Sequence, residues 1–305
     1  MTNKTWDVVI IGAGASGLMC AATAGYQGQN VLLLDHAPKA AAKIRISGGG
    51  KCNFTNLEVT PANFICANPH FVKSALSRYP SSAFIELVER HGLAYQQREL
   101  GKLFCKERAS DLIQILRTEC DWAGVSIQVK TAIQSLHFND SDDSSSVKNF
   151  SIQTENGVIR APKLVIATGA LSFPKLKATG FGYEIAKQFG LSVIKQSPGL
   201  VPLVFSGKWQ ARFAELSGLA MDVCVIAGGK RFKEAVLFTH TSLSGPGILQ
   251  ASNYWQTGEK IEINLLPDVD VYQNLLALKQ AGGSLSKWLN QHWPKRFTQM
   301  WLALH

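Results

Sequence analysis

Three glycines and one aspartate near the start of the chain have the types and spacing that bind a diphosphate and a ribose. Gly12, Gly14 and Gly17 form a Gly-x-Gly-x-x-Gly pattern directly after an apolar run, and Asp35 follows roughly 20 residues beyond. In this pattern one glycine permits a tight turn, one lets the backbone approach a pyrophosphate, and one lets a helix pack closely on a strand. The diphosphate would lie at the helix N-terminus, and the carboxylate would accept hydrogen bonds from the ribose hydroxyls.

Two strands and a helix must position these residues. Asp7 to Ile11 and Val31 to Leu34 are short apolar runs, typical of strands that are buried on both faces of a sheet. Between them, Ser16 to Gln27 is rich in small apolar residues and predicts a helix packed on that sheet. An ordinary βαβ unit with a glycine-rich turn is the alternative, but the acid that closes the second strand favours a dinucleotide site.

A second glycine-rich segment, RISGGGKCNFTN at 45–56, follows the second strand. Its three consecutive glycines are costly to order, because glycine loses more backbone freedom on folding than any other residue. A flexible linker is one interpretation, and a loop against a flat or charged ligand is the other. The segment is not a P-loop, because Arg45 and Cys52 stand where that motif requires Gly and Ser or Thr. An NAD enzyme would continue with further βα units here, so the loop favours FAD.

Composition limits the class of protein and its partners. A length of 305 residues with 46% hydrophobic and 17% charged residues predicts about two globular domains. The net charge of +9 is compatible with nucleic acid, an anionic membrane surface or an anionic cofactor. Because Lys and Arg are scattered rather than grouped in a block, we expect nucleic acid to be an unlikely partner. The sequence indicates no oligomeric state.

Cysteine usage and apolar runs bear on the compartment. The six cysteines form neither a Cys-x-x-Cys pair nor a Cys/His cluster, so we expect no metal site and a reducing, cytoplasmic location. The apolar run from Val8 to Tyr26 imitates a secretory signal, but its glycine spacing and the strand that follows favour the dinucleotide module. Other apolar runs are too short to span a bilayer, so we expect no membrane insertion.

The remaining pattern predicts elements that support these segments. We expect two helices over Pro69 to His91, and a helix over Ala109 to Ala123 with Ser110 as its cap. The low-complexity stretch at 139–146 is expected to be a mobile hairpin tip, and Asn156-Gly157 predicts a tight hairpin turn.

Composition changes at Leu200. Beyond this residue the segments LVPLVF, GLAMDVCVIAGG, AVLFTH and KIEINLL predict the strands of a smaller domain, and helices follow to the end of the chain. These helices carry Trp288, Trp293 and Trp301, which we expect to belong to a core or a domain contact rather than to a surface that stacks on bases.

Four segments closely resemble, in order, the BaiN/RdsA-type family of bacterial NAD(P)/FAD-dependent oxidoreductases, some of which are aminoacetone oxidases. They are RISGGGKCNFTN, GKLFCKERASDLIQIL from Gly101, the segment from Ala167 to Leu191, and VLFTHTSLSGPGILQAS from Val236. The resemblance runs from about Asp7 to the end of the chain. It implies an α/β fold: an FAD-binding, Rossmann-like domain of the two-dinucleotide-binding type at 1–198, an inserted β-rich domain at 199–266, and a helical segment at 267–305.

The chain departs from the family pattern at several positions. Lys51 stands where relatives usually have Arg, Ala170 where many have a second glycine, and Phe181 where many have Asp. The family's closing strand and its Gly-Gly-aromatic-Asn segment, which return to the flavin, have no counterpart. We therefore expect a truncated or incomplete chain whose flavin pocket is open on one side.

The glycine patterns and the resemblance together give a set of cofactor-binding candidates. The backbone near Ile133 is expected, by resemblance, to contact the adenine, and Thr168 and Gly169 follow the strand that returns to the dinucleotide. The predicted set is Gly12, Gly14, Ala15, Ser16, Gly17, Asp35, Lys43, Ser47, Gly48, Gly49, Gly50, Lys51, Cys52, Asn53, Ile133, Thr168, Gly169 and Ala170.

Two residues are candidates for catalysis. Lys51 could place positive charge beside a reduced, anionic flavin, or could be a solvated lysine that helps to bind phosphate. His240 could be a general acid or base, or could only order a turn. Cys52 has no partner at disulfide-reductase spacing, so a buried inert thiol is expected.

The sequence thus predicts an FAD-dependent oxidoreductase that transfers hydride between NAD(P)H or oxygen and a small organic substrate through bound flavin. NAD(P)H would dock transiently, because a second Gly-x-Gly-x-x-Gly module is lacking. One alternative is a flavin-containing protein that binds RNA or modifies tRNA, suggested by the positive charge. The other is an NAD-dependent dehydrogenase, which leaves the loop at 45–56 without a function.

Overall fold

A computed structural model describes residues 5–139 and 148–304. All of the expected hairpin tip at 139–146 except Asn139 lies outside these ranges. The chain divides into two compact units, Met1–Ile194 and Lys195–His305. The boundaries expected from the sequence, after residues 198 and 266, stay predictions.

The first unit contains parallel and antiparallel strands interleaved with helices. Its strands are β1 (Val8–Ile11), β2 (Val31–Leu34), β3 (Asn53–Asn56), β4 (Tyr95–Gln97), β5 (Lys102–Cys105), β6 (Ser126–Gln128), β7 (Ile133–Asn139), β8 (Asn149–Thr154), β9 (Gly157–Ala161) and β10 (Lys163–Ile166). Its α-helices are α1 (Ala15–Tyr26), α2 (Ala42–Ile46), α3 (Lys73–Arg78), α4 (Ser81–Arg90), α5 (Ala109–Trp122) and α6 (Phe181–Gln188). Short 3₁₀ helices cover Ser47–Gly50, Pro61–Asn63, Glu99–Gly101 and Pro174–Leu176.

A parallel sheet in the order β10-β1-β2-β6 forms the centre of this unit. Its two middle strands are buried along their whole length, because both faces of the sheet are covered. On one face Ile10 and Leu33 pack with residues of α1 and α5. On the other face Val9 and Leu32 pack with residues of the antiparallel sheet β7-β8-β9. This double coverage explains why both strands are continuous apolar runs rather than alternating ones.

A third sheet anchors the end of the second glycine-rich segment. Strands β3, β5 and β4 pair antiparallel, with Asn53 opposite Phe104. Cys52 and Cys105 are both buried in a cluster with residues of α4 and α5, such as Val88 and Leu112. The loop that precedes β3 is therefore fixed at its C-terminal end by a packed sheet.

The sequence places most of these elements correctly, with two corrections. The first helix, both buried strands, and the helices α3, α4 and α5 are confirmed. Ser110 is not the cap of α5: the helix begins at Ala109, so the N-cap position falls on Arg108, which is extended at φ −151°. The hairpin β8–β9 is confirmed, but its turn residues are Glu155 and Asn156, since Gly157 already pairs with Thr154.

The second unit is built on an antiparallel sheet in the order β11-β14-β13-β12-β15, and the predicted strands beyond Leu200 are confirmed. The strands are β11 (Leu203–Val204), β12 (Ala220–Ala227), β13 (Lys230–Phe238), β14 (Ser242–Ser244) and β15 (Glu262–Asn264). The α-helices are α7 (Lys208–Ala214), α8 (Pro246–Ala251), α9 (Val271–Gln280), α10 (Leu285–His292) and α11 (Lys295–Leu304).

Helices α10 and α11 belong to the core of this second unit. Trp288, Trp293 and Phe297 are buried in one cluster with Val223 and Val225 of β12. The indole Nε1 of Trp293 donates to the carbonyl oxygen of Leu265 at 3.1 Å. The core role expected for the tryptophans is thus confirmed. Over the described ranges, no helix combines the length and apolar character that crossing a membrane requires.

Candidate cofactor site

The first glycine turn needs its glycines for different reasons. Gly12 has a φ of 107°, and a Cβ there would overlap the carbonyl oxygen of Ala167 behind it. A Cβ at Gly17 would overlap the carbonyl oxygen of Gly12, so the helix could not pack onto the turn. Gly14 has an ordinary φ of −83°, and a Cβ there would meet nothing within 4 Å. Gly14 therefore leaves open space in front of the backbone rather than behind it.

The N-terminus of α1 is suited to an anion. Gly14 is the N-cap, and among the described residues no side chain caps it and no acid lies in the first turn. The first N–H groups of a helix have no partner within the helix, and the helix dipole favours negative charge there. The backbone around Ala15 and Ser16 thus offers donors to a phosphate group.

The side chain of Asp35 is fixed by hydrogen bonds beside this turn. Its side chain is 15% exposed. The Oδ2 atom accepts from the Ala13 N–H at 2.7 Å, and Oδ1 accepts from the Ala37 N–H at 2.8 Å. Each carboxylate oxygen keeps a further lone pair, because an ionised carboxylate has about four acceptor sites. The geometry therefore fixes the carboxylate and leaves it able to accept from a ribose hydroxyl.

Two adjoining cavities open on these residues. One has a volume of about 370 Å³ and is lined by His36, Ile133 and Glu184, among others. The other, with about 660 Å³, is lined by residues of the two glycine-rich segments, such as Gly14 and Cys52, and by Lys43. The two cavities share lining residues, namely Gly12, Asp35, His36, Thr168 and Lys177. Together they form one site around the carboxyl ends of β1 and β2, where ligands of parallel α/β sheets bind.

Most of the predicted cofactor residues meet at this site. Those that line one or both cavities are Gly12, Gly14, Ala15, Ser16, Asp35, Lys43, Ser47, Cys52, Asn53, Ile133, Thr168 and Gly169. Those outside the lining are Gly17, Gly48, Gly49, Gly50, Lys51 and Ala170. Sequence reasoning missed His36, although it directly follows Asp35, and Lys177, which no motif marks. Nε2 of His36 lies 2.8 Å from the carbonyl oxygen of Lys177, so the two residues close one side of the site.

The second glycine segment turns back on itself rather than lying open. Gly48, Gly49 and Gly50 have φ values of 55°, 67° and 86°, in the left-handed region that favours glycine. A Cβ at Gly48 would come within 2.8 Å of the Asn53 nitrogen and of the Phe104 ring. These three glycines therefore shape the loop, and the residues on either side of them reach the cavity.

Cys52 and Asn53 lie where the loop enters β3. Cys52 is 5% exposed and also has a left-handed φ of 46°. Burial raises the pKa of its thiol, against a smaller lowering by a hydrogen bond with the Ser47 side chain, so the thiol stays protonated near neutral pH. Nδ2 of Asn53 donates to the carbonyl oxygens of Leu103 and Thr55, both at 3.1 Å. These bonds hold the loop as expected for side-chain-to-backbone contacts.

Lys43, just before the second glycine-rich segment, and Lys51, within it, have different hydrogen-bond partners. Nζ of Lys43 donates to Oγ of Ser172 at 2.7 Å and to the carbonyl oxygen of Ala170 at 3.4 Å. Nζ of Lys51 donates instead to the carbonyl oxygen of Lys106 at 3.0 Å.

The catalytic assignments of Lys51 and His240 stay predictions. His240 is exposed in the second unit, in the turn between β13 and β14. Over the described part of the chain, no three His, Cys, Asp or Glu side chains come together as a metal site would require.

Comparison with known proteins identifies the family. The sequence model of the family described as HI0933-like protein Rossmann domain matches residues 6–287. Proteins of Escherichia coli K12 and Haemophilus influenzae, both named ribosomal RNA dihydrouridine synthase, are each 42% identical to the chain. The matches cover 97% and 96% of this chain, respectively, and 73% of each relative. The 3-dehydro-bile acid delta(4,6)-reductase of Clostridium scindens is 24% identical over 87% of this chain and 65% of its own.

Solved structures resemble the chain only distantly. An open-conformation flavocytochrome c3 fumarate reductase has a TM-score of 0.43 and 18% identity, over 72% of this chain and 47% of that one. The halogenase PltM in complex with phloroglucinol and FAD has a TM-score of 0.35 and 18% identity, over 72% of this chain and 39% of that one. Similarity at this level supports no conclusion about function.

The names of the relatives overturn one expectation. Nucleic acid was expected to be an unlikely partner, and two relatives that are 42% identical are named for a reaction on ribosomal RNA. The expectation was wrong because it relied on blocks of Lys and Arg in the sequence, whereas folding can collect scattered cations on one surface. The predicted family, the Rossmann-like fold and the class of FAD-dependent oxidoreductase are confirmed. The chain belongs to the HI0933-like family.

Proposed function

We propose that the chain binds FAD in the two adjoining cavities and reduces uridine in ribosomal RNA to dihydrouridine. The observation that carries the proposal is the 42% identity, over 97% of the chain, with a protein named ribosomal RNA dihydrouridine synthase. The geometry supports it, because most of the predicted cofactor residues line the two adjoining cavities.

The fit to FAD rests on three features of the site. The open space in front of Gly14 leaves room for the diphosphate against the N-terminus of α1. Asp35 lies where the ribose hydroxyls would be bound. The backbone near Ile133 lines the smaller cavity, where the adenine would lie, and the larger cavity is left for the flavin ring. When bound, FAD supplies the centre that accepts and donates hydride.

The reaction is a two-electron reduction of a carbon–carbon double bond. Uridine, NAD(P)H and a proton give dihydrouridine and NAD(P)⁺: one ring carbon gains a hydride and its neighbour gains a proton. The protein must orient the base, exclude water and hold the proton. Cys52 lines the larger cavity, and because burial raises the pKa of its thiol, Sγ keeps its proton at neutral pH and does not release it readily.

The test uses unmodified, in vitro transcribed ribosomal RNA and the FAD-loaded protein without oxygen. NADH or NADPH is added, and dihydrouridine is measured by mass spectrometry of the digested nucleosides. We expect dihydrouridine to form in step with oxidation of the nicotinamide. The variant Asp35→Ala should lose bound FAD and product together. Asp121→Asn, which changes an exposed carboxylate of α5, is the matched control and should retain both. FAD-loaded protein that oxidises NAD(P)H and leaves every uridine unchanged would contradict the proposal.

A second candidate is the reduction of a small conjugated ketone, and the relative from Clostridium scindens favours it. It uses the same transfer of hydride and proton to a double bond. The same assay with a 3-oxo-4,6-diene steroid in place of RNA separates the two. Turnover of the steroid without turnover of RNA would replace the first proposal by the second.

A further inference from the structure

A cleft beside the cofactor site is lined by three cations. It has a volume of about 380 Å³, and its lining includes the cations Lys39, Arg45 and Arg117 and the apolar residues Ile113 and Ile127. The cations come from the segment after β2, from α2 and from α5, so they are far apart in the chain. The packing of α2 on α5 brings them to one place.

The charged residues that line this cleft are all positive. All three cations are exposed, and the residues that line the cleft include no acid. Within the described residues, none of the three has an ion pair or a side-chain hydrogen bond, whereas Arg90 and Arg108 pair with carboxylates. Three like charges that converge without counter-charge repel one another, and a bound anion relieves that repulsion. The cleft is thus suited to a ligand with phosphate groups.

The position of the cleft indicates which phosphates. Lys39 lines both this cleft and the larger cavity of the cofactor site. An RNA strand that presents one of its bases to that cavity must place the phosphates next to that base close to the cleft. We propose that Lys39, Arg45 and Arg117 bind the phosphodiester backbone of the RNA substrate next to the reacting uridine. The inference rests on the proposed function, and it assigns a role to Arg45, the first residue of the RISGGG segment.

The cations can be removed without disturbing the core, because they are exposed. Arg45→Gln and Arg117→Gln remove the charge, and Arg45→Glu and Arg117→Glu reverse it. Arg160→Glu makes the same reversal on β9, at an exposed position outside both cavities and the cleft, and is the matched control. FAD absorbance and thermal unfolding confirm that each variant is folded and loaded. Binding of a fluorescent single-stranded ribosomal RNA fragment is then measured over a range of KCl concentrations.

We expect each reversal to raise the Kd for RNA about tenfold at low salt, with the control unchanged. In a plot of the logarithm of the association constant against the logarithm of the salt concentration, the slope is negative. Each Gln variant should make this slope shallower by about one, because one phosphate contact is lost. Affinity and slope equal to those of Arg160→Glu in all four variants would overturn the inference. A selective rise in the KM for NADPH, with RNA binding unchanged, would also overturn it, since the cleft would then hold a nicotinamide dinucleotide.

Failure of this inference can be told apart from failure of the proposed function. If the wild-type protein forms dihydrouridine and all variants bind RNA as it does, the cleft is not the RNA site and the proposed function stands. If the variants lose RNA affinity and the wild-type protein forms no dihydrouridine, the cleft binds RNA and the proposed reaction is wrong.

Discussion

The first unit contains two glycine-rich segments that look alike in sequence and differ in physical origin. At 12–17, Gly12 and Gly17 are required because protein backbone lies directly behind them, and Gly14 faces open space. At 48–50, all three glycines have left-handed φ values, and a Cβ added at Gly49 or Gly50 would meet nothing within 4 Å. Close packing behind Gly12 and Gly17 is the main constraint on the first segment, although Gly12 also has a positive φ. Backbone handedness is the feature that all three glycines of the second segment share, although Gly48 is also closely packed.

The difference teaches that glycine alone does not indicate contact with a ligand. Only Gly12 and Gly14 of these six glycines line the cavities. The second segment contributes to the site through Ser47 before its glycines and through Cys52 and Asn53 after them, and Lys43, just before the segment, also lines the larger cavity. Substitutions in the two segments should therefore change the free energy of unfolding and the Kd for FAD by different amounts.

The largest effect is expected for Gly17→Ala. The added Cβ would overlap the Gly12 carbonyl oxygen, which is rigid backbone, so α1 must move away from the turn. We expect a loss of about 3 kcal/mol or more in the free energy of unfolding of the FAD-free protein. Urea denaturation measures this loss, and Thr23→Ala, at an exposed position of the same helix, is the control. A loss below about 1 kcal/mol would show that close packing does not set the first segment.

The next effect separates packing from handedness within the second segment. Gly48→Ala adds both a left-handed alanine and a Cβ 2.8 Å from the Asn53 nitrogen, and should cost about 2 to 3 kcal/mol in unfolding free energy. Gly50→Ala adds only the left-handed alanine, at φ 86°, and should cost about 1 kcal/mol. Denaturation of the two FAD-free variants side by side gives the difference. Equal costs would mean that the contact with Asn53 and Phe104 relaxes freely.

Local patterns in the sequence predict much of this fold and part of the site. The strands β1 and β2 and the helix α1 follow from apolar runs and glycine spacing, which are properties of neighbouring residues. Asp35 could be placed for the same reason, since a carboxylate that ends a buried strand reaches the adjacent turn. The loop at 48–50 could not, because it leads into β3, whose Asn53 pairs with Phe104 of β5, and β5 is distant in the chain.

The sequence does not predict contacts between residues that only the tertiary fold brings together. Lys43 and Lys51 lie on either side of the three glycines, and nothing in their residue type tells which one faces the cavity. Arg45 and Arg117 meet only because α2 packs on α5, so scattered cations in the sequence become one cleft. The error about nucleic acid has the same origin, since charge density on a surface cannot be counted along a chain.

A smaller effect, on binding rather than folding, is expected for Gly14→Ala. The backbone conformation suits alanine and the Cβ meets no protein atom, so unfolding free energy of the FAD-free protein should change by less than about 1 kcal/mol. The Cβ would occupy space in front of the turn, so the Kd for FAD should rise about tenfold. Titration followed by flavin fluorescence measures the Kd, with Gly50→Ala as the control that leaves it unchanged. Unaltered FAD affinity in Gly14→Ala would place the diphosphate elsewhere.

The smallest effect is expected for Lys51→Ala. This variant tests the hypothesis from the sequence that Lys51 lies beside the flavin. Lys51 lies outside the cavity lining, and its Nζ donates to the carbonyl oxygen of Lys106. Loss of that bond should lower unfolding free energy by at most about 1 kcal/mol and leave the Kd for FAD within about twofold. Lys43→Ala is the matched variant, because Lys43 lines the larger cavity, and it should raise the Kd for FAD about tenfold. The opposite ranking of the two lysines would mean that the loop after Gly48 turns toward the flavin when FAD binds, and both glycine segments would then serve the ligand directly.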